Sequence, residues 1–276
     1  MLIDWKILAK NIYDNLKEEV KKTDKKITLW VILVWNSSES IRYIKQKKKW
    51  ADYIWIWFVL KKVEKNITEQ DLLNLISDFN RSEKITWFMI QTPLPKHINT
   101  DKIIEAISAS KDVDWFNPLN MGKIVIWDNS WFIACTPAGI MEIIKQDKID
   151  IEGKHITVIW RSNIVWKPII NLLINAGATV TACNSKTPDL NKFTKTSDII
   201  IIAAWKPWLL KGSMVKHGVV VIDVWFTIID GKIYGDAETK NIDLMWGKIT
   251  PVPGWVWPMT VAMLMKNTLK AWGIIV

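Results

Sequence analysis

The chain has 276 residues, 49% hydrophobic and 24% charged, and 37 Lys and Arg against 28 Asp and Glu give a net charge of +9. No apolar run approaches the roughly 20 residues that span a bilayer, and the opening MLIDWKILAKNIYDNLKEEV lacks the basic, apolar, small-residue order of a signal peptide, so a cytoplasmic protein without a membrane partner is expected. The lysines are spread over amphipathic helices and not gathered in one basic block with interleaved aromatics, which argues against nucleic acid and suits polyanionic small molecules, while Cys135 and Cys183 suggest neither a disulfide framework nor a zinc site.

In chain order, Ile7, Leu8, Ile12, Leu16 and Val20 predict a helix over residues 4–22 with Asp4 as N-cap. A buried strand is expected over 27–34, a helix over 39–54, a short strand over 56–60, a helix over 68–80 and a strand over 85–90. That strand ends in Gln91-Thr92-Pro93-Leu94-Pro95, whose two prolines force an extended exit, and a helix follows over about 100–109. Residues 117–136 lack strong periodicity and read as a linker. The alternation then resumes: strand 156–159, helix 165–176, strands 179–183, 198–203 and 219–224, then TPVPGWVWPMT and an amphipathic helix over 259–271. Alternating strands and helices predict parallel sheets covered on both faces, with ligands beyond the carboxyl ends of the strands, where Gln91 falls.

Six segments in order carry a family resemblance: Ser40-Ile41-Arg42-Tyr43 with Lys47, Gln91 to Pro95, Lys111-Asp112-Val113-Asp114 with Phe116 and Asn120, Cys135-Thr136-Pro137, Arg161-Ser162-Asn163-Ile164-Val165, and Thr250 to Gly254 leading to Pro258-Met259-Thr260. Together they resemble the bifunctional methylenetetrahydrofolate dehydrogenase/cyclohydrolases over nearly the whole length. The resemblance implies two domains: an N-terminal α/β folate-side domain (1–120 with 258–276) and a Rossmann-like NADP-binding domain (121–257). The C-terminal helix returns to the first domain, and the substrate lies in the cleft between the two. It implies oxidation of 5,10-methylenetetrahydrofolate with NADP, hydrolysis of the methenyl product, a homodimer, and a folate substrate that can carry a polyglutamate tail.

Tyr43 and Lys47 are four apart and share a helix face, but Lys45, Lys48 and Lys49 lie on the same helix, so spacing alone does not single out Lys47. The resemblance does: it makes Lys47 the proton-transfer residue, which requires a partly desolvated amine, with Gln91 holding it and Tyr43 orienting the folate ring. Asp114 corresponds to the carboxylate that accepts two parallel hydrogen bonds from the pterin edge, and Pro253 and Gly254 to the loop lining the folate cleft. Taken singly, these residues also read as a surface Tyr–Lys pair, a strand-end amide, a turn aspartate and a Pro/Gly turn. In the second half, a strand, a tight turn and a helix form the usual pyrophosphate site. The resemblance places Trp160, Arg161, Ser162 and Ser185 at the phosphates and the Phe226 backbone near the nicotinamide; the Arg161 guanidinium favours NADP over NAD. No metal is expected.

One count is abnormal: 19 Trp against 11 Gly, where about 7% usage predicts roughly 19 Gly. Trp stands where the family has glycine at positions 5, 35, 55, 87, 115, 127, 160, 166, 205, 208, 225, 255 and 257, with Trp131 a further candidate. Moving those thirteen to the glycine count leaves 6 Trp and makes 24 Gly. A codon such as UGA, read as glycine by some bacterial lineages and written here as tryptophan, accounts for the pattern; Trp30, Trp50, Trp57, Trp246 and Trp272 stay undecided. Two rivals remain: a monofunctional dehydrogenase, against which Lys47 and Gln91 argue, and, if the indoles are real, a non-catalytic relative with a blocked cofactor turn.

Overall fold

The structure, a computed structural model, describes residues 5–35, 37–114, 116–128, 133–160, 163–252 and 257–275. The expected N-cap Asp4 lies outside them. The chain divides into two compact units, one of Asn11–Cys135 with Val261–Val276, the other of Met1–Lys10 with Thr136–Thr260.

Helix α1 (Trp5–Lys21) leads into the first of these, followed by β1 (Thr28–Val34), α2 (Ser38–Tyr53), β2 (Trp57–Val63), α3 (Glu69–Arg81), β3 (Phe88–Gln91), α4 (Thr100–Ala106) and α5 (Pro118–Val125). The three strands are parallel in the order β2-β1-β3. Central β1 has Leu29, Val31, Ile32, Leu33 and Val34 buried, the continuous apolar run of a strand covered on both faces. Polar side chains start the helices: Ser37 accepts from the Ser40 N–H, Thr68 from Asp71, Asn99 from Asp101 and Lys102, and Asn117 from Leu119 with Pro118 in the first turn. On α3, Leu72, Ile76 and Phe79 form the stripe that packs on Ile32, Val34, Phe88 and Ile90.

The expected linker at 117–136 is corrected: it contains α5 and the first residues of the next helix. The periodicity is obscured because Leu119 and Val125 are exposed while the polar Asn120 is buried beside Ile124, so most of the apolar residues of α5 do not mark its inner face.

The other unit contains α6 (Cys135–Gln146), β4 (His155–Trp160), α7 (Asn163–Asn175), β5 (Thr179–Cys183), α8 (Asn191–Thr194), β6 (Ile199–Ala203), β7 (Val220–Asp223), the hairpin β8 (Phe226–Ile229) and β9 (Lys232–Gly235), α9 (Thr239–Asp243) and β10 (Lys248–Ile249). Five strands form a parallel sheet ordered β10-β7-β6-β4-β5. From β4 the chain steps to β5 on one side, then crosses to β6 on the other. The strand order therefore reverses between β4 and β6, the switch point where doubly wound sheets bind ligands. The hairpin, α8, α9 and β10 are additions to the sequence expectation, none exceeding five residues and so too short for a periodic signal, and the 12-residue α6 is a further addition. Helix α10 (Trp257–Ala271) closes the chain, and from Val261 onward it belongs with the β1–β3 unit, the expected return. Among the described residues no helix is long and apolar enough to cross a membrane.

Candidate functional site

Ser40, Ile44, Lys47, Ala51 and Ile54 are all buried. Their spacings of three or four residues make one helical stripe, and Lys47 occupies it as though it were apolar. This is the signal that separates Lys47 from Lys45, Lys48 and Lys49, and spacing within the lysine cluster alone concealed it. Lys48 instead reaches solvent and pairs with Asp52 at 2.9 Å.

At the carboxyl end of β3 the buried Gln91 meets this amine. Lys47 Nζ donates to Gln91 Oε1 at 2.9 Å and to Met89 Sδ at 3.4 Å. Gln91 Nε2 donates to the Thr92 carbonyl at 2.5 Å, which commits the other end of the amide to the lysine. Both acceptors at Lys47 are neutral, and a thioether is a weak one. Burial therefore dominates and holds the Lys47 pKa below its ordinary value, opposed by the nearby Asp114 and Cys135.

Residues 111–113 run beside β3 and deliver Asp114 to the same edge. The Phe88 N–H donates to the Lys111 carbonyl at 3.0 Å, the Val113 N–H to the Phe88 carbonyl at 3.4 Å, and Phe88 pairs with Asp112 in parallel. The buried Asp112 carboxylate then accepts the N–H groups of Asp114 (3.1 Å) and Asn117 (2.8 Å), so Asp112 shapes the turn and Asp114 is free of that task. Burial pushes the Asp114 carboxyl up, opposed by Lys47 and by a hydrogen bond from Cys135. Tyr43 stands half-buried one helical turn before Lys47.

Three participants escaped the sequence reading. Met89 is the second acceptor at Lys47. Cys135, whose thiol burial and the neighbouring Asp114 push well up, bonds Asp114. Asn267, on α10, donates to the carbonyls of Ile133 (2.9 Å) and Val113 (3.4 Å) and to Cys135 Sγ (3.7 Å). Cys135 stood inside a matching segment without a role; nothing in the sequence marks Asn267.

In the other unit, Trp160 ends β4 and is half-buried, and Ser185 is exposed in the turn after β5. Because Ile159 pairs with Cys183, these two positions share one edge. Phe226 opens β8 shortly after β7 and stacks on Trp225 with ring centroids 5.9 Å apart. Arg161, Ser162, Pro253 and Gly254 lie outside the described residues. No cluster of His, Cys, Asp and Glu able to hold a metal occurs among the described residues.

A desolvated amine at one sheet edge, with a doubly wound parallel sheet in the other unit, defines the class: a two-unit α/β protein with one unit equipped for proton transfer and one of dinucleotide-binding type. Comparison with known proteins makes the class specific. The family model for the tetrahydrofolate dehydrogenase/cyclohydrolase catalytic domain matches residues 3–114, and that for the NAD(P)-binding domain matches residues 134–274. The chain belongs to the tetrahydrofolate dehydrogenase/cyclohydrolase family. It is 46% identical to the bifunctional protein FolD of Nautilia profundicola over 98% of this chain and 96% of that one, and 44% identical to that of Acetivibrio thermocellus with the same coverage. Its fold matches the bifunctional FolD enzyme of Campylobacter jejuni with a TM-score of 0.95 at 42% identity, covering 98% of each chain. It matches the Trypanosoma brucei enzyme, solved with NADP and an inhibitor, with a TM-score of 0.90 at 31% identity over 99% of this chain and 97% of that one.

Proposed function

We propose that this chain oxidises 5,10-methylenetetrahydrofolate to the methenyl form with NADP and hydrolyses that product to 10-formyltetrahydrofolate. The observation that carries the reading is the buried Lys47–Gln91 pair at 2.9 Å, which a dehydrogenase alone has no need of. Burial lowers the Lys47 pKa and so favours the neutral amine, which takes the proton of the water as its oxygen adds to the methenyl carbon. The amine returns that proton to the ring nitrogen as the carbon–nitrogen bond opens, while the hydroxyl left on the carbon releases its own proton to solvent and becomes the formyl carbonyl. Gln91 fixes the amine without adding charge, Tyr43 orients the folate ring, Asp114 accepts the pterin N–H groups, and Pro253 and Gly254 line the folate site. In the other unit the edge formed by β4 and β5 suits a dinucleotide, with α7 (13 residues) beginning at Asn163 soon after β4 ends at Trp160. Position 160, Arg161, Ser162 and Ser185 hold its phosphates, and the Phe226 backbone lies by the nicotinamide. NADP, when bound, supplies the hydride acceptor. The protein works in the cytoplasm as a homodimer and accepts polyglutamylated folates; sedimentation at micromolar concentration tests the dimer, and a single monomer species refutes it.

The working polypeptide, we further propose, carries glycine at the family-glycine positions written here as tryptophan. The backbone supports this independently of any motif. Trp35 (φ 74), Trp55 (φ 65), Trp127 (φ 60), Trp205 (φ 58), Trp208 (φ 56) and Trp246 (φ 57) are left-handed, a region that bulky L-residues avoid and glycine enters freely. The first five were expected glycines, and Trp246 joins them. Trp5, Trp87, Trp160, Trp166 and Trp225 lie outside that region; there glycine would serve close approach, as at a pyrophosphate turn. The indole of Trp5 is buried with its Nε1 lacking a hydrogen-bond partner among the described residues, a cost that glycine removes. By contrast Trp50 stacks on Tyr13 with centroids 3.9 Å apart, Trp30 meets Phe79 edge-on, and Trp272 Nε1 donates to the Thr28 carbonyl, so these three read as true tryptophans. NADP titration of the printed chain and of a glycine-restored chain tests both readings: binding by the restored chain alone is expected, and binding by neither overturns the cofactor assignment. Tandem mass spectrometry of the protein from its own host reads the residues directly, and indoles at 35, 55 and 246 would refute the exchange.

A further inference from the structure

The loop following β6, residues 204–208, lies at the carboxyl end of β6, the strand that adjoins β4 where the strand order reverses. In this loop the carboxylate of Asp236, fully buried at the end of β9, accepts three consecutive backbone N–H groups: Ala204 at 2.6 Å, Trp205 at 2.9 Å and Lys206 at 2.7 Å. The neighbouring backbone adds to this grip. The Trp208 N–H donates to the Gly235 carbonyl at 3.2 Å, and the Leu210 N–H to the Asp236 carbonyl at 3.0 Å. A second buried acid, Asp223 at the end of β7, accepts the Ala237 N–H at 2.9 Å, while its own N–H donates to Thr250 Oγ1 at 2.7 Å. Gly235 packs so closely on Asp223 that a Cβ there would collide with the carboxylate. One buried acid pair thus ties the carboxyl ends of β6, β7, β9 and β10 together at the ligand edge.

Burial and the neighbouring Asp236 push the Asp223 carboxyl well up, and burial also pushes Asp236 up, opposed by the N–H groups of Trp205, Lys206 and Ala204. Asp236 faces three donors that a carboxylate satisfies and a protonated acid does not.

We propose that Asp236 is a positioning residue for the dinucleotide: by gathering the N–H groups of Ala204, Trp205 and Lys206 it fixes the loop against which the cofactor binds. The proposal rests on the reading of this unit as the NADP-binding one. It predicts damage confined to one of the two activities, because hydrolysis of the methenyl substrate, supplied directly, consumes no NADP.

The test uses the full-length, glycine-restored chain, since the three bonds involve backbone groups that a Trp→Gly exchange leaves in place. Asp236→Asn puts an amide donor against the N–H groups. It is expected to weaken NADP binding about tenfold or more and to raise the KM for NADP, with cyclohydrolase activity within about twofold of the parent. Asp236→Glu, which keeps the charge but displaces it, is expected to fall between the two and covers the case in which Asp236→Asn does not fold. Amide hydrogen exchange at residues 204–206 should accelerate in Asp236→Asn without NADP present, a readout independent of cofactor affinity. Unchanged NADP affinity in both variants overturns the proposal, as does parallel loss of both activities with a lowered melting temperature. If the parent chain itself fails to bind NADP, the cofactor reading falls, and accelerated exchange at 204–206 alone then leaves Asp236 as a structural residue and overturns the positioning role.

Discussion

Exchanging Trp246 and Trp50 separately for glycine should move stability in opposite directions. Trp246 has φ 57 and is 81% exposed, and its ring neighbour is His217, tilted, with centroids 6.0 Å apart. A left-handed L-residue costs roughly 1–2 kcal/mol, and glycine gives back about 0.5–1 kcal/mol through the freedom of the unfolded chain. Trp246→Gly should therefore stabilise the printed chain by about 0.5–1 kcal/mol. Trp50 sits within α2, stacked on Tyr13 at 3.9 Å with planes 5° apart and edge-on to Tyr53 at 5.5 Å. Losing a packed indole costs about 3 kcal/mol or more, and glycine in a helix interior adds about 1 kcal/mol. Urea unfolding of both variants, with the slope checked for constancy, should place their midpoints on opposite sides of the parent. A Trp246→Gly variant destabilised in the direction of Trp50→Gly would refute the reasoning from backbone conformation.

Two further outcomes follow from the buried ionisable groups. Burial lowers the Lys47 pKa from 10.5, so the unfolded chain binds more protons than the folded one below that value, and stability rises with pH through the window ending near 10.5. Lys47→Met should accordingly be more stable than the parent at neutral pH, with the gain shrinking as pH approaches 10.5; parallel stability curves contradict it. Asp223 runs the other way. Its raised pKa makes its contribution full below the ordinary carboxylate value and lost as pH rises through the folded pKa. Asp223→Asn, nearly isosteric with the protonated acid, should flatten that decline in urea midpoints measured across pH, and an undiminished decline counts against a protonated Asp223.

Much of the fold is written in period and punctuation. The apolar run of β1, the stripe Leu72–Ile76–Phe79 and the Ser37 and Thr68 caps mark their elements without tertiary context. Residues 117–136 were opaque because α5 exposes Leu119 and Val125 and buries Asn120 beside Ile124, blurring the pattern that a periodicity argument needs. At the site, Gln91 and Asp114 were legible through the resemblance, and the burial stripe Ile44–Lys47–Ala51 could have isolated Lys47 on physical grounds alone. Asn267 and the Asp223–Asp236 pair were not legible. Their partners lie 132 to 154 residues away for Asn267 and 14 to 32 away for the acids' bonds to Ala237, Thr250 and residues 204–206, at separations only the folded chain brings together. The tryptophans invert the usual lesson: a motif argument marked five positions that the backbone then placed in the left-handed region, and the backbone marked Trp246, which no motif had.

The central claim is that one lysine, its pKa lowered by burial and its amine held by Gln91, turns a dehydrogenase into a bifunctional enzyme. The direct test is to follow both steps in the glycine-restored chain and its Lys47→Met variant, with 5,10-methylenetetrahydrofolate and NADP in one cuvette. The parent should pass its methenyl product on to 10-formyltetrahydrofolate, while the variant should still reduce NADP and accumulate the methenyl compound, its hydrolysis falling at least about 100-fold. A variant that hydrolyses at the parent rate, or one that loses both steps equally while remaining folded, would contradict the account.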